Sequence, residues 1–277
     1  MNKLFLDQLW GTYVVFKKEF FSTLKSVRMI ILMILFTLFV LGTVYGGLTL
    51  IDIAESSPDI DFSDLMINQG PVFILSLVTG IISLFGPIIS IALSFDTIVK
   101  EKIQNSISLL ICRPVSKRTI ATGKFLGIVA ALCIPVIIVT YLAILIISVQ
   151  SGKGIEFGQA SGFIFFTLLF LIIYAAIGQL VSSITKTTTT AILTGIFIWI
   201  FLLVIGGVIG YFIPDFSNQI SLINPSTPYG VAVSHALGTL EETSVEVISL
   251  GGYYLTFVIW LVIPLSLAIE LFNRIEN

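Results

Sequence analysis

The chain has 277 residues, 56% of them hydrophobic and 11% charged, against roughly 25% charged in a typical soluble domain. Its formal net charge of −2 does not point to a nucleic-acid partner. Lipid is therefore its main solvent.

Residues 1–26 read as a cytoplasmic amphipathic helix lying along the membrane interface. Leu6, Leu9, Trp10, Tyr13, Phe16, Phe20 and Leu24 recur at steps of three and four, with Asp7, Lys18, Glu19 and Lys25 among the positions between. The same spacing also suits a helix that packs against protein. The first apolar run begins near Val27 and no small-x-small site follows it, so it is expected to stay in the mature protein.

A bilayer core about 30 Å thick takes roughly 20 apolar helical residues. Six stretches qualify: Val27 to Leu50, Pro71 to Phe95, Phe125 to Val149, Ser161 to Ile184, Thr190 to Ile213 and Gly252 to Ile269. With Arg28 counted to the amino-terminal flank, none contains an Asp, Glu, Lys, Arg or His. The expected fold is an all-α integral membrane protein: a six-helix domain over 27–272, a cytoplasmic loop at 96–124, outer loops at 52–70 and 214–250, and a cytoplasmic tail at 273–277.

Basic residues set the orientation. Lys3, Lys17, Lys18, Lys25 and Arg28 precede the first span; Lys100, Lys102, Arg113, Lys117, Arg118 and Lys124 lie between the second and third; Lys186 and Arg274 fall on the same side. Lys153 alone falls opposite, so both termini are expected in the cytoplasm of a multi-pass plasma-membrane protein. The acids of the outer loops, Asp52, Glu55, Asp59, Asp61 and Asp64, then Asp215, Glu241, Glu242 and Glu246, read as a solvated face. In the second outer loop, Pro228 to Leu240 suits a short amphipathic or re-entrant helix.

The 96–124 segment carries the most information. Ile103, Ile107, Leu110 and Ile111 fall on one helical face, an apolar stripe that needs a covering surface outside the lipid. Pro114 then stops the helix, and Lys117 and Arg118 lie where the chain turns back. The segment resembles the loop of type-2 ATP-binding cassette permeases, approximately F-D-x-I-x-x-E-R-x-x-G-T-L-x-x-L-L-S-x-P-[VI]-S-R-x-x-I-x-x-G-K. Phe95, Asp96, Ile98, Glu101, Leu110, Pro114, Val115, Ser116, Ile120, Gly123 and Lys124 match it. Lys102, Ser106, Ile107 and Cys112 are conservative replacements; Asn105, where Gly is common, and the Lys117–Arg118 pair depart from it.

The resemblance implies the permease subunit of an ATP-driven exporter, working as a homodimer or heterodimer with separate ATPase subunits. It assigns docking on the ATPase to a short coupling helix in this loop, with Asp96, Glu101, Lys102, Ile103, Ile107, Leu110, Ile111, Arg113, Pro114, Lys117, Arg118 and Lys124 as coupling residues. It also places the first and fifth helices at the interface between permeases. Gly42-x-x-x-Gly46 and Gly206-x-x-x-Gly210 are then candidate dimer contacts, although the residues alone equally suit packing within one chain.

The chain is not expected to be an enzyme. Gly123–Lys124 and Gly152–Lys153 lack the glycine spacing and the following Ser/Thr of a P-loop, so ATP and Mg are expected on the partner ATPase and no cofactor on this chain. His235 is the single histidine, and Cys112 and Cys133 form no CxxC, so neither a metal cluster nor a catalytic pair emerges. A secondary carrier would be expected to hold ionisable groups inside its spans. Gln179, Thr140 and Thr194 are polar there, with helix-to-helix hydrogen bonding as their expected role. The rival reading is a non-transporting membrane scaffold or anchoring subunit, since a helical bundle does not itself imply a pathway. Substrate identity does not emerge from these residues.

Overall fold

The computed structural model describes residues 3–56, 70–103, 116–205, 212, 222–239 and 250–274. Its helices, in chain order, are α1 (Lys3–Leu24), α2 (Val27–Ser56), α3 (Gly70–Ser94), α4 (Val99–Ile103), α5 (Lys117–Ser151), α6 (Phe157–Ile184), α7 (Thr188–Val204), α8 (Ser226–Leu237) and α9 (Leu250–Asn273). Among the described residues no strand occurs.

Helix boundaries follow local chemistry. Ser26 separates α1 from α2 and its Oγ accepts the Met29 N–H at 3.2 Å, which satisfies one of the donors exposed at a helix start. Ser116 caps α5 in the same way, accepting from Thr119 N. Gly152, with φ 63°, ends α5 in the left-handed conformation that glycine adopts at least cost.

Four helices, α2, α5, α6 and α9, and a fifth apolar stretch, Gly70–Ile103, which continues α3 through α4, are long and apolar enough to cross a membrane. The remaining stretch expected to span is described as a helix over Thr188–Val204, 17 residues long and apolar. Residues 206–211, including Gly206 and Gly210, lie outside the described part, as do residues 57–69, 213–221 and 240–249, which include most of the two expected outer loops.

α6 is the most buried of the long helices and packs on α3, α5, α8 and α9. Close approach explains part of this: a Cβ on Gly178 of α6 would lie 3.2 Å from Ile91 Cα of α3, so glycine lets the two backbones meet. Gln179 Nε2 donates to Ala121 O of α5 at 3.1 Å, and Ser183 Oγ donates to Ala268 O of α9 at 3.3 Å. Thr140 Oγ1 instead donates to Val136 O of its own helix, and Thr194 is exposed.

α8 is wedged against α6, α3 and α9. Tyr229 is fully buried, stacks on Phe170 with ring centroids 4.3 Å apart, and shares a 3.0 Å hydrogen bond with Thr167 of α6. At its other end Leu237 O accepts from Gln159 Nε2 of α6 at 3.0 Å. Eight residues separate the two contacts on each helix, about 12 Å of rise, so α8 runs antiparallel along the first half of α6. His235 Nδ1 pairs with Tyr254 Oη at 3.2 Å.

The end of the bundle opposite α8 gathers the start of α2, the end of α3, the start of α5 and the ends of α6 and α9. Arg28–Asp96, Lys124–Glu101 and Arg118–Glu270 ion pairs at 2.8–3.0 Å join these termini.

Candidate functional site

The two roots of the 96–124 segment lie at this basic end. Its outgoing root is pinned to several helices. Asp96 pairs with Arg28 of α2 at 2.9 Å, and the Arg28 guanidinium also lies 5.3 Å from the Phe95 ring centroid. Ser182 Oγ of α6 accepts both the Ile98 and Val99 N–H groups, at 2.9 and 3.0 Å, and so caps α4. Lys102 Nζ donates to Ser183 O and, at 3.2 Å, to Thr185 O. A cation there meets the last carbonyls of α6, the negative end of the helix dipole.

The centre of the site is Lys124, whose side chain is only 5% exposed. Its Nζ lies 2.8 Å from Glu19 of α1 and 2.8 Å from Glu101 of α4. Burying an ammonium costs several kcal/mol unless it is paired, and two carboxylates supply that pairing here. One lysine thereby ties together the amino-terminal helix, the outgoing root and the start of α5.

α1 reaches Lys124 because glycine lets it close on α5. A Cβ at Gly123 would lie 2.9 Å from Thr12 O, and one at Gly127 would lie 2.8 Å from Glu19 Cβ and 3.0 Å from Phe16 O. α1 therefore docks through its Thr12, Val15 and Glu19 face. Trp10 and Tyr13 stay more than half exposed, and Trp10, Tyr13, Phe16 and Phe20 form a ladder with centroids 5.8–6.5 Å apart. The helix both packs on the bundle and leaves Trp10 and Tyr13 outward, with Phe16 and Phe20 half-buried.

The returning root begins at Ser116. Arg118 pairs with Glu270 of α9 at 3.0 Å, and Glu270 also holds Arg274 at 3.1 Å. Lys117 lies in the first turn of α5.

Of the expected coupling residues, the structure brings together Asp96, Glu101, Lys102 and Lys124, with Arg118 on the α9 side. Ile103 is 53% exposed at the edge of the described chain. Ile107, Leu110, Ile111, Arg113 and Pro114 lie outside the described residues. A Cβ added at Gly42 or Gly46 would meet nothing within 4 Å; Gly42 is exposed and Gly46 half-buried.

Sequence reasoning missed Glu19, Ser182, Glu270 and the Gly123-x-x-x-Gly127 pair. The glycine spacing was a usable signal, identical to that of Gly42 and Gly46. The two carboxylates and the serine gave none, because their partners are distant in the chain.

A comparison with family models matches the chain over residues 13–276 to the ABC-2 family transporter protein family. The chain belongs to the ABC-2 transporter family. No match was found among curated proteins. The match includes Glu19, Arg28, Asp96, Glu101, Lys124 and Glu270 and begins one residue after Thr12. Members of the ABC-2 family are membrane subunits that are generally non-catalytic and normally work with an ATP-binding subunit.

Proposed function

We propose that this chain is the permease subunit of an ATP-driven exporter of the plasma membrane. It crosses six times with both termini in the cytoplasm, works as a dimer of permeases, and is driven by separate ATPases that bind ATP and Mg. The 96–124 segment transmits their motion. The observation that carries this reading is the rooting of that segment: Arg28–Asp96 and Lys124–Glu101 fix its outgoing root, and Arg118–Glu270 fixes its return. A segment held rigidly at both roots can pass a push into α2, α3, α5 and α9 together.

Two further observations support it. α6 ends and α7 begins at the basic end, and α9 returns there, which favours an additional crossing by α7 and its continuation towards Ile213. Ile103 begins the apolar stripe of the segment and is exposed within this chain, as a surface awaiting a partner would be. The dimer draws support from Gly42 and Gly46, where the open space suits a second permease.

The test is co-purification. Ile107→Asp places an unpaired charge in the proposed ATPase groove, at a cost of about 3–5 kcal/mol, and is expected to lose the ATPase while the bundle still inserts. Retention of both the ATPase and substrate-stimulated hydrolysis would show that the segment is not the coupling element and would remove the main support of this reading.

A further inference from the structure

Two cavities follow each other along the seam where α1, α2 and α5 meet. The first, of about 260 Å³, is polar and lies at the basic end beside Lys124. Its three carboxylates are engaged, Glu19 and Glu101 by Lys124 and Asp96 by Arg28. Lys18 and Lys100 line the same cavity, are exposed, and form no ion pair among the described residues. Arg28 Nε is buried and has no acceptor among the described residues. Its four cations, Lys18, Arg28, Lys100 and Lys124, outnumber its three carboxylates, so the cavity carries an excess of one positive charge, with Lys18, Lys100 and Arg28 Nε as its available donors.

The second cavity, of about 610 Å³, is an apolar groove. It starts one residue past Arg28, at Met29, and continues along α2 through Met33, Ile34 and Leu38 to Leu41, with Pro135 and Val139 of α5 among its other lining residues. Met29 to Leu41 spans about 18 Å of helix, close to half of a hydrocarbon core about 30 Å thick. Along α5 the order is the same: Lys124 and Ile128 line the polar cavity, Pro135 and Val139 the apolar one. The seam therefore changes from cationic to apolar in the direction of the bilayer normal, as one leaflet of lipid does.

We propose that this seam holds one phospholipid with an anionic headgroup, drawn from the leaflet at the basic end. Its phosphate sits among Lys18, Arg28 and Lys100, and one acyl chain lies along α2 in the groove. The two methionines suit such an occupant because their unbranched thioethers adapt to a chain of variable shape. A free anion would leave the groove unused, and a zwitterionic lipid would bring a choline cation with its phosphate to a cavity where four cations, Lys18, Arg28, Lys100 and Lys124, already outnumber three carboxylates. Bound there, the lipid touches α1, α2 and the outgoing root of the 96–124 segment at once.

The test uses the purified full-length chain in mild detergent, delipidated and titrated by native mass spectrometry with phosphatidylglycerol or with phosphatidylcholine of the same acyl chains. The expected result is one phosphatidylglycerol retained at lipid levels where phosphatidylcholine is not. Each lysine near an anionic lipid surface is worth about fivefold, so Lys18→Gln with Lys100→Gln is expected to weaken retention roughly 25-fold. Ile34→Trp, which fills the groove, is expected to weaken it without touching the charges. Equal retention of the two lipids, or unchanged retention in both variants, overturns the proposal. Displacement of the lipid by excess inorganic phosphate alone also overturns it, in favour of a free-anion site. None of these readouts involves the ATPase, so the lipid site and the transport reading can fail separately.

Discussion

Lys124 Nζ lies 2.8 Å from Glu101 Oε1, which joins the outgoing root of the 96–124 segment to the helix that receives its return. Removing the cation strands two carboxylates in a largely buried place. Lys124→Met is expected to destabilise the protein by about 3–5 kcal/mol, read as a lowered thermal midpoint in detergent. Adding Glu19→Gln and Glu101→Gln to it is expected to restore most of the loss, because no unpaired charge then remains. An unchanged midpoint in Lys124→Met would mean that the cluster is held by solvent rather than by its partners.

α1 is expected to detach when its glycine seat is filled. Gly127→Ala would bring a Cβ within 2.8 Å of Glu19 Cβ and 3.0 Å of Phe16 O, and overpacking of this kind costs about 1–3 kcal/mol. Trypsin should then cut after Lys17 and Lys18 several-fold faster than in the parent protein. Gly158→Ala, which meets nothing within 4 Å, serves as the control and should leave the rate unchanged.

The outward glycines of α2 behave differently. A Cβ at Gly46 would meet nothing within 4 Å, so folding of Gly46→Leu should stay within about 0.5 kcal/mol of the parent. If a second permease packs there, crosslinking between permease chains should fall in the same variant. Intact crosslinking with a well-folded protein would move the dimer seam elsewhere.

At the far end, Tyr229 tests how firmly α8 is wedged. Tyr229→Phe removes its hydrogen bond to Thr167 but keeps the stacking on Phe170, an expected loss of about 1 kcal/mol. Tyr229→Ala also removes the ring and should cost about 3–5 kcal/mol. Thermal unfolding of the two variants side by side separates the bond from the packing; equal losses would show that the ring contributes little.

Much of the fold was legible because lipid imposes a one-dimensional rule. A run of about 20 apolar residues must become a helix to satisfy its backbone, so the helices starting at Val27, Gly70 and Leu250 lie within two residues of the expected starts. α5 begins at Lys117 rather than near Phe125, since Ser116 caps it and its first two turns lie among polar partners rather than in lipid. The aromatic stripe of α1 was also legible, but which face docks was not. Periodicity locates the apolar side of a helix, whereas α1 seats itself through Thr12, Val15 and Glu19 on two glycines.

The sequence by itself determined an all-helical membrane protein, the gathering of its basic residues towards one side, and the resemblance of the 96–124 segment to a permease loop. Only the tertiary structure decided that Lys124 is buried between Glu19 and Glu101, that Ser182 caps α4, and that α8 folds back along α6. The physical reason is range. Spans and charge bias are set by the solvent each residue must meet, which the residue's own chemistry encodes. An ion pair across 105 positions depends on where two helices come to rest, and that is fixed by the packing of the whole bundle.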